Sequence, residues 1–149
     1  ARVAGFCLGA QILADVLGAT VYRAPHREIG WLPVRLTETG ARHPLLEGFP
    51  PELKTFQWHG DTFDLPRGAL HLAESPACPN QAFLLGNALA LQFHLEMGPE
   101  EVHTLWSKCS EDAKPGPWVQ PRHKVLCPDP PCEAEALLDS RLDRFSGLG

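Results

Sequence analysis

A cysteine flanked by two glycines, each two residues away, is the feature that most constrains this sequence. The stretch GFCLGAQILA begins at Gly5 and joins a short apolar segment to a run with apolar residues at helical spacing. The pattern G-x-C-x-G at such a junction predicts a sharp turn from a strand into a helix, with Cys7 at the turn. Side chains two positions to either side would collide there, and glycine avoids that collision.

Such a turn also determines the chemistry open to the sulfur. The start of the helix directs unpaired backbone N–H groups toward Cys7, which favours thiolate over thiol. The same groups, that of Leu8 above all, can donate to an oxyanion formed on an attacked carbonyl. A buried structural cysteine at the end of a glycine-rich strand is the alternative, and this stretch alone leaves both interpretations open.

The rest of the chain predicts an α/β layered domain. Gly86 and Asn87 are typical of a hairpin turn, and Pro99 suits the first position of a helix. Residues 58–61 read as a polar turn that follows a strand. The predicted strands are residues 2–6, 19–24, 30–38, 54–57, 69–75, 81–85 and 88–96. The hairpin makes the predicted sheet mixed rather than purely parallel.

Composition narrows the possible functions. The 149 residues carry a formal charge of −5 without a basic stripe, which argues against a nucleic-acid partner. No apolar run approaches the roughly 18 residues of a membrane span, so no membrane partner is expected. The five cysteines, an odd number, argue against a secreted disulfide scaffold and favour the cytoplasm.

The composition changes near Ser110, which divides the chain into two predicted parts. Residues 1–109 are expected to form the domain, and residues 110–149 a tail. The tail begins with an irregular proline-rich segment. It ends in a short amphipathic helix whose apolar face is Ala134, Leu137, Leu138, Leu142 and Phe145.

A cysteine nucleophile needs a base, and the base needs a group that orients it. His94 is favoured because Glu96 follows two residues later, and residues i and i+2 of a strand face the same side. A solvated His-x-Glu pair without a catalytic function is the alternative. His59 is a competing base in the predicted polar turn, which either lines a pocket or is an ordinary Asx turn.

Metal sites are predicted to be absent. The candidates His26, His59, His94 and Glu96 include no pair with helical metal-site spacing. Cys127 and Cys132 are not followed by a second pair, so a zinc site there is disfavoured. No metal and no cofactor are therefore predicted.

Three motifs in order, GFCLGAQILA, QWHGDTFDLP and LQFHLE, closely resemble the class I glutamine amidotransferase family. The likeness covers roughly residues 2–106 and is nearest to stand-alone members and the amidotransferase domain of GMP synthase. It implies a flavodoxin-like three-layer sandwich with a central mixed sheet. Family members carry further βα units before the nucleophile strand, including a second oxyanion donor. The resemblance therefore implies a chain that lacks its N-terminal part.

The resemblance also implies an activity, the hydrolysis of the side-chain amide of L-glutamine. Cys7 would form a γ-glutamyl thioester and release ammonia to a partner synthetase domain or subunit, with His94 and Glu96 completing a catalytic triad. Leu95 stands where many members have proline. The substrate-binding residues that the resemblance implies are Leu8, Gly9, Gln11, Trp58, His59, Gly60 and Asp61. A non-catalytic amidotransferase-like regulatory or interaction subunit, or a related γ-glutamyl thiol hydrolase, remains an alternative.

Overall fold

The computed structural model describes residues 1–128, Phe145 and Gly147. Within them, six strands form one sheet, in the order β1-β6-β5-β4-β2-β3. The strands are β1 Val3–Phe6, β2 Val21–Leu36, β3 Glu52–Phe63, β4 Leu70–Glu74, β5 Ala82–Leu85 and β6 Ala88–Leu91. The helices are α1 Leu8–Val16, α2 Glu38–Arg42, α3 Pro99–Cys109 and α4 Arg122–Leu126. Strands β1 and β6 are parallel and the other neighbours antiparallel, so the predicted α/β fold with a mixed sheet is confirmed.

Local signals in the sequence account for several of these elements. Helix α1 begins directly after Cys7 and ends before Gly18. The φ of +86° at Gly18 is incompatible with a right-handed helix. The hairpin between β5 and β6 turns at Gly86, where φ is +55°. Helix α3 begins at Pro99, whose ring fixes φ and whose missing N–H costs nothing at a helix start.

The ladder between β2 and β3 corrects two predictions. Residues 19–24 and 30–38 were predicted as separate strands, but Val21–Leu36 is continuous. Residues 58–61, predicted as a polar turn, lie inside β3. The register shifts between Arg23 and Glu28 of β2, and pairing continues on both sides of that irregularity. Residues 58–61 stay extended because β2 supplies backbone pairing partners. The composition of residues 58–61 does not reveal that pairing.

Apolar side chains fill three clusters around the sheet. The small residues Ala10 and Ala14 let α1 pack closely against Phe63 and Phe83. A second cluster includes Val34, Leu72, Leu91, Phe93 and the buried ring of Phe145. Phe145 is helical, and the other residues of the predicted terminal helix lie outside the described part of the chain, Gly147 excepted.

The third cluster joins the C-terminal part of the described chain to the sheet. Trp31 and Phe56 pack there with Val102 of α3 and Val125 of α4. The proline-rich segment was predicted as irregular throughout, which is wrong over α4. None of the helices in the described residues is long and apolar enough to cross a membrane.

Candidate active site

The backbone of Cys7 is strained and firmly held. Its φ of +48° and ψ of −106° make it the only non-glycine residue with positive φ in the described part of the chain. Such a conformation costs of order 1–3 kcal/mol and persists only where the surroundings determine it. The Cys7 N–H donates to the carbonyl of Leu91 at 2.8 Å, and its own carbonyl accepts from Ala10 and Gln11 at 3.1 Å.

The two glycines beside Cys7 differ in what they permit. A Cβ on Gly5 would lie 2.5 Å from the carbonyl carbon and oxygen of Gly9, so β1 and α1 can meet only if residue 5 is glycine. A Cβ on Gly9 would meet nothing within 4 Å. The expectation of a collision is therefore right for Gly5 and wrong for Gly9.

The first turn of α1 presents backbone donors beside the sulfur. Leu8 and Gly9 are its first residues, so their N–H groups have no acceptor within the helix. The Leu8 side chain is exposed. The predicted oxyanion donor is thus placed at a helix start that directly follows Cys7.

His94 and Glu96 lie just beyond the end of β6, which stops at Leu91 and not at residue 96 as predicted. The N–H of His94 donates to the carbonyl of Phe56 at 2.9 Å, which attaches this segment to β3. The Phe56 and His94 rings are 6.0 Å apart. Nδ1 of His94 lies 2.5 Å from Oε1 of Glu96, so the carboxylate holds the imidazole although the segment is not a regular strand.

The electrostatics of His94 reflect two partners. Burial on its own lowers the His94 pKa, but the hydrogen bonds and charges of Cys7 and Glu96 raise it from 6.5 to about 9. Burial on its own raises the Glu96 pKa, but the hydrogen bond and charge of His94 bring it below its usual 4.5. At neutral pH the pair is therefore an imidazolium and a carboxylate.

Two glutamine side chains surround the sulfur further. Nε2 of Gln92 lies 3.6 Å from Sγ of Cys7, and Nε2 of Gln11 donates to Oε1 of Gln92 at 3.1 Å and to the carbonyl of Asp61 at 3.2 Å. Gln11 was expected in the site, whereas Gln92, which is fully buried, was not. The signal for it was the spacing in LQFHLE, where Gln92, His94 and Glu96 occur at every second position.

The stretch 58–61 approaches Cys7 mainly through its backbone. The carbonyl oxygen of Trp58 lies 3.7 Å from Sγ of Cys7, and that of Asp61 accepts from Gln11. The Asp61 carboxylate forms an exposed ion pair with Arg23 at 3.2 Å. A Cβ on Gly60 would lie 3.3 Å from the Arg27 side chain, which covers this part of β3.

His59, the competing base, is engaged elsewhere. Its Nε2 lies 3.0 Å from Oε1 of Glu28, and its Nδ1 lies 2.8 Å from the carbonyl oxygen of Asp61. The Glu28 carboxylate also accepts from Gln81 at 2.6 Å and Ser75 at 2.8 Å, in a cluster shielded from solvent. Both ring nitrogens of His59 are thus occupied within the protein, whereas Cys7 is among the groups that raise the pKa of His94.

Metal-ligating side chains do not converge in the described residues. Within residues 1–128, Phe145 and Gly147, no three His, Cys, Asp or Glu side chains could together hold a metal ion. Cys127 is a free, exposed thiol, and Cys132 lies outside the described residues.

Comparison with known sequences identifies relatives that include glutamine-hydrolyzing enzymes. The family model described as glutamine amidotransferase class-I matches residues 3–108. Over 104 residues the chain is 43% identical to the glutamine amidotransferase-like protein YfeJ of Salmonella typhimurium, covering 69% of this chain and 44% of YfeJ. Over 103 residues it is 39% identical to the glutamine-hydrolyzing GMP synthase of Thermomicrobium roseum, covering 68% of this chain and 18% of the synthase.

Solved structures agree with this relationship. A glutamine amidotransferase from Thermotoga maritima superimposes with a TM-score of 0.81 at 38% identity, over 95% of this chain and 61% of that one. The glutamine amidotransferase from Methylobacillus flagellatus gives a TM-score of 0.76 at 33% identity, over 97% and 59%. The chain thus spans less than two thirds of the length of these relatives. It belongs to the class I glutamine amidotransferase family.

Proposed function

We propose that this chain hydrolyses the side-chain amide of L-glutamine, with Cys7 as nucleophile, His94 as acid and base, and Glu96 as the group that orients His94. One observation carries this proposal: the imidazole of His94 lies 2.5 Å from Glu96, and Cys7 and Glu96 together raise its pKa to about 9. Similarity to glutamine-hydrolyzing GMP synthases supports glutamine as the substrate. The strained backbone of Cys7 gives independent support, because such conformations concentrate at functional sites.

The first half of the reaction forms a thioester. The raised pKa of His94 keeps an imidazolium beside the sulfur at neutral pH. In the proposed reaction Cys7 attacks the amide carbon as a thiolate, which is the nucleophilic form of cysteine. A carbon–sulfur bond forms and the carbonyl oxygen gains a negative charge, which the N–H of Leu8 stabilises. His94 then gives its proton to the nitrogen, the carbon–nitrogen bond breaks, and ammonia leaves a γ-glutamyl thioester.

The second half restores the site. Neutral His94 takes a proton from water, and the resulting hydroxide attacks the thioester carbon. The carbon–sulfur bond breaks, the new carboxyl group releases its proton to solvent as glutamate leaves, and the thiolate and imidazolium are regenerated. Glu96 stays ionised throughout and keeps Nδ1 of the imidazole directed toward itself.

Substrate contacts come from the residues around the sulfur. Gln11 and the backbone of residues 58–61 hold the glutamine beside Cys7, and Gly9 leaves open space on its side of the helix start. The released ammonia passes to a synthetase domain or subunit. The existence of glutamine-hydrolyzing GMP synthases far longer than the matched region supports this assignment, since this chain covers 18% of one of them.

Glutamate release from glutamine tests the proposal. We expect Cys7→Ala to lower kcat by about 10³-fold or more, because the covalent step needs the sulfur. Cys109→Ala, in a half-exposed cysteine of α3, is the matched control and should keep wild-type release. Binding of glutamine without any Cys7-dependent hydrolysis would contradict the enzymatic assignment. Faster hydrolysis of γ-glutamyl conjugates than of glutamine would contradict the substrate.

A further inference from the structure

A series of amide hydrogen bonds leads from a backbone carbonyl to the sulfur of Cys7. The carbonyl oxygen of Asp61 accepts from Nε2 of Gln11 at 3.2 Å, and the same nitrogen donates to Oε1 of Gln92 at 3.1 Å. Nε2 of Gln92 in turn donates to Sγ of Cys7 at 3.6 Å. The Gln92 side chain is fully buried, so its amide makes no contact with solvent.

The direction of this series follows from its first member. A backbone carbonyl only accepts, so the atom of Gln11 that faces Asp61 is the amide nitrogen. That nitrogen carries two hydrogens, and the second requires an acceptor, so the oxygen of Gln92 faces Gln11. The nitrogen of Gln92 is then left to face the sulfur. The Asp61 carbonyl thereby determines that the Gln92 side chain presents its N–H donor, and not its oxygen, to Cys7.

We propose that Gln92 is a positioning residue for Cys7, which holds an N–H donor against the sulfur and favours its thiolate form. This inference rests on the proposed function, in which Cys7 reacts as a thiolate. It adds a second donor to the one that His94 supplies. It also fixes the orientation of the Gln11 amide. Both N–H groups of Gln11 are used within the protein, so its Oε1 is the atom left to accept a hydrogen bond from the substrate.

A purely structural function for Gln92 is the competing explanation. Its backbone N–H donates to the carbonyl of Gln81 at 2.8 Å, and its side chain fills buried space, as any core residue does. Gln57 of β3 allows the two explanations to be separated. It is equally buried, but its Nε2 donates to Oε1 of Gln81 at 3.1 Å instead of to Cys7.

The test compares Gln92→Met with Gln57→Met, because methionine has a similar length and no N–H donor. Alkylation of Cys7 by iodoacetamide at pH 7 is followed on the Cys7 peptide by mass spectrometry, together with kcat and KM for glutamine. Loss of a hydrogen bond to a charged sulfur should slow alkylation about tenfold in Gln92→Met and lower kcat more than it changes KM. Gln57→Met should alkylate within about twofold of wild type. Wild-type alkylation in Gln92→Met, or equal slowing in both variants, would overturn the inference.

Gln11→Met tests whether Gln11 orients the Gln92 amide toward Cys7. It also replaces Gln92→Met as the test of the inference if that variant fails to fold. Gln11 is half-buried, and its loss frees the Gln92 amide to rotate, so alkylation of Cys7 should slow about threefold. Alkylation at the wild-type rate would overturn the ordered series. Iodoacetamide needs no glutamine site, so slowed alkylation in a chain without glutaminase activity would support the positioning of Cys7 while refuting the proposed function.

Discussion

At the scale of single residues, the behaviour of the site depends on the proton that His94 holds. Its pKa in the fold is about 9, against 6.5 for an ordinary histidine, because Cys7 and Glu96 outweigh the effect of burial. The folded state thus binds this proton more tightly than the unfolded chain does. The resulting stabilisation is fully present below pH 6.5 and is lost as the pH rises through about 9.

The same protonation predicts the alkaline limit of activity. We expect kcat/KM for glutamine to fall as the pH rises through about 9, since neutral His94 has no proton for the departing ammonia. A pH series of initial rates, with unfolding followed in parallel by circular dichroism, measures this. A decline centred near pH 6.5 would contradict the assignment of His94 as the acid.

Glu96 should control where His94 titrates. Glu96→Gln removes a negative charge and weakens the hydrogen bond to Nδ1, so the pKa of His94 should fall below about 9. An NMR titration of the imidazole C–H resonances measures it. Glu100→Gln, at an exposed residue in the first turn of α3, is the control and should leave the His94 titration unchanged. An unaltered midpoint for His94 in Glu96→Gln would show that the Glu96 carboxylate does not stabilise the protonated imidazole.

The contrast between Gly5 and Gly9 gives a matched pair of variants. Gly5→Ala places a methyl group 2.5 Å from the Gly9 backbone, which should lower the free energy of unfolding by about 1–3 kcal/mol. Gly9→Ala meets no neighbour and adds a better helix former, so it should be neutral or stabilising by up to about 1 kcal/mol. Urea denaturation compares them. Equal destabilisation in the two variants would contradict the close approach of β1 and α1.

At the scale of elements, the ladder between β2 and β3 carries buried polar groups as well as backbone pairs. Glu28 of β2 binds His59 of β3, and it also accepts from Ser75 and Gln81, which follow and precede strands of the same sheet. A carboxylate out of contact with water is stable only when such donors surround it. This cluster therefore holds in place the part of β3 whose backbone faces Cys7.

Removal of the Glu28 carboxylate should consequently be costly. Glu28→Ala leaves three buried polar groups without their partner, and we expect the free energy of unfolding to fall by about 3 kcal/mol or more. Glu38→Ala breaks the exposed pair with Arg42 in α2 and should change it by less than about 1 kcal/mol. Chemical denaturation of both variants measures the difference. A small loss in Glu28→Ala would show that the cluster does not hold β2 and β3 together.

The sequence predicted those elements whose causes are local. Gly5, Cys7, Gly86 and Pro99 mark turns and helix starts through their own backbone chemistry, so β1, α1, the β5–β6 hairpin and α3 were predictable. Residues 58–61 were predicted as a turn because they are polar, yet they remain in β3 because β2 pairs with them. That pairing joins residues far apart in the chain, and no window of sequence contains it.

The candidate site shows the same division. Cys7, Gln11, His94 and Glu96 lie in motifs that can be quoted from the sequence, and the structure brings these four residues together. Gln92 also lies in one of those motifs, at the same alternate spacing as His94 and Glu96, but that spacing does not reveal which group its amide contacts. That depends on Gln11 and Asp61, which reach it from other elements.

At the scale of the whole molecule, residues 118–126 pack as part of the domain. Val119 bridges to Ile29, and the Gln120 amide bonds both the N–H and the carbonyl of Trp31 at 2.8 and 2.9 Å. Nε1 of Trp31 donates to the carbonyl of Val125 at 2.9 Å. The third core cluster therefore depends on a segment beyond the matched family region, which ends at residue 108.

Val125 offers a test of that dependence. Val125→Ala empties fully buried space beside Trp31 and should lower the free energy of unfolding by about 1–3 kcal/mol. The neighbouring exposed residue, changed as Lys124→Ala, should have little effect. Tryptophan fluorescence during urea denaturation reports both. An unchanged midpoint in Val125→Ala would show that this segment is dispensable for the fold.

The backbone of Cys7 has a consequence for how the molecule can evolve. Glycine would occupy a φ of +48° without penalty, so at this position selection for folding alone favours a residue that has no thiol. A lineage that no longer needed the reaction would gain stability by a single change there. Loss of the proposed nucleophile would then be hard to reverse, because each return to cysteine would destabilise the protein before any benefit appeared.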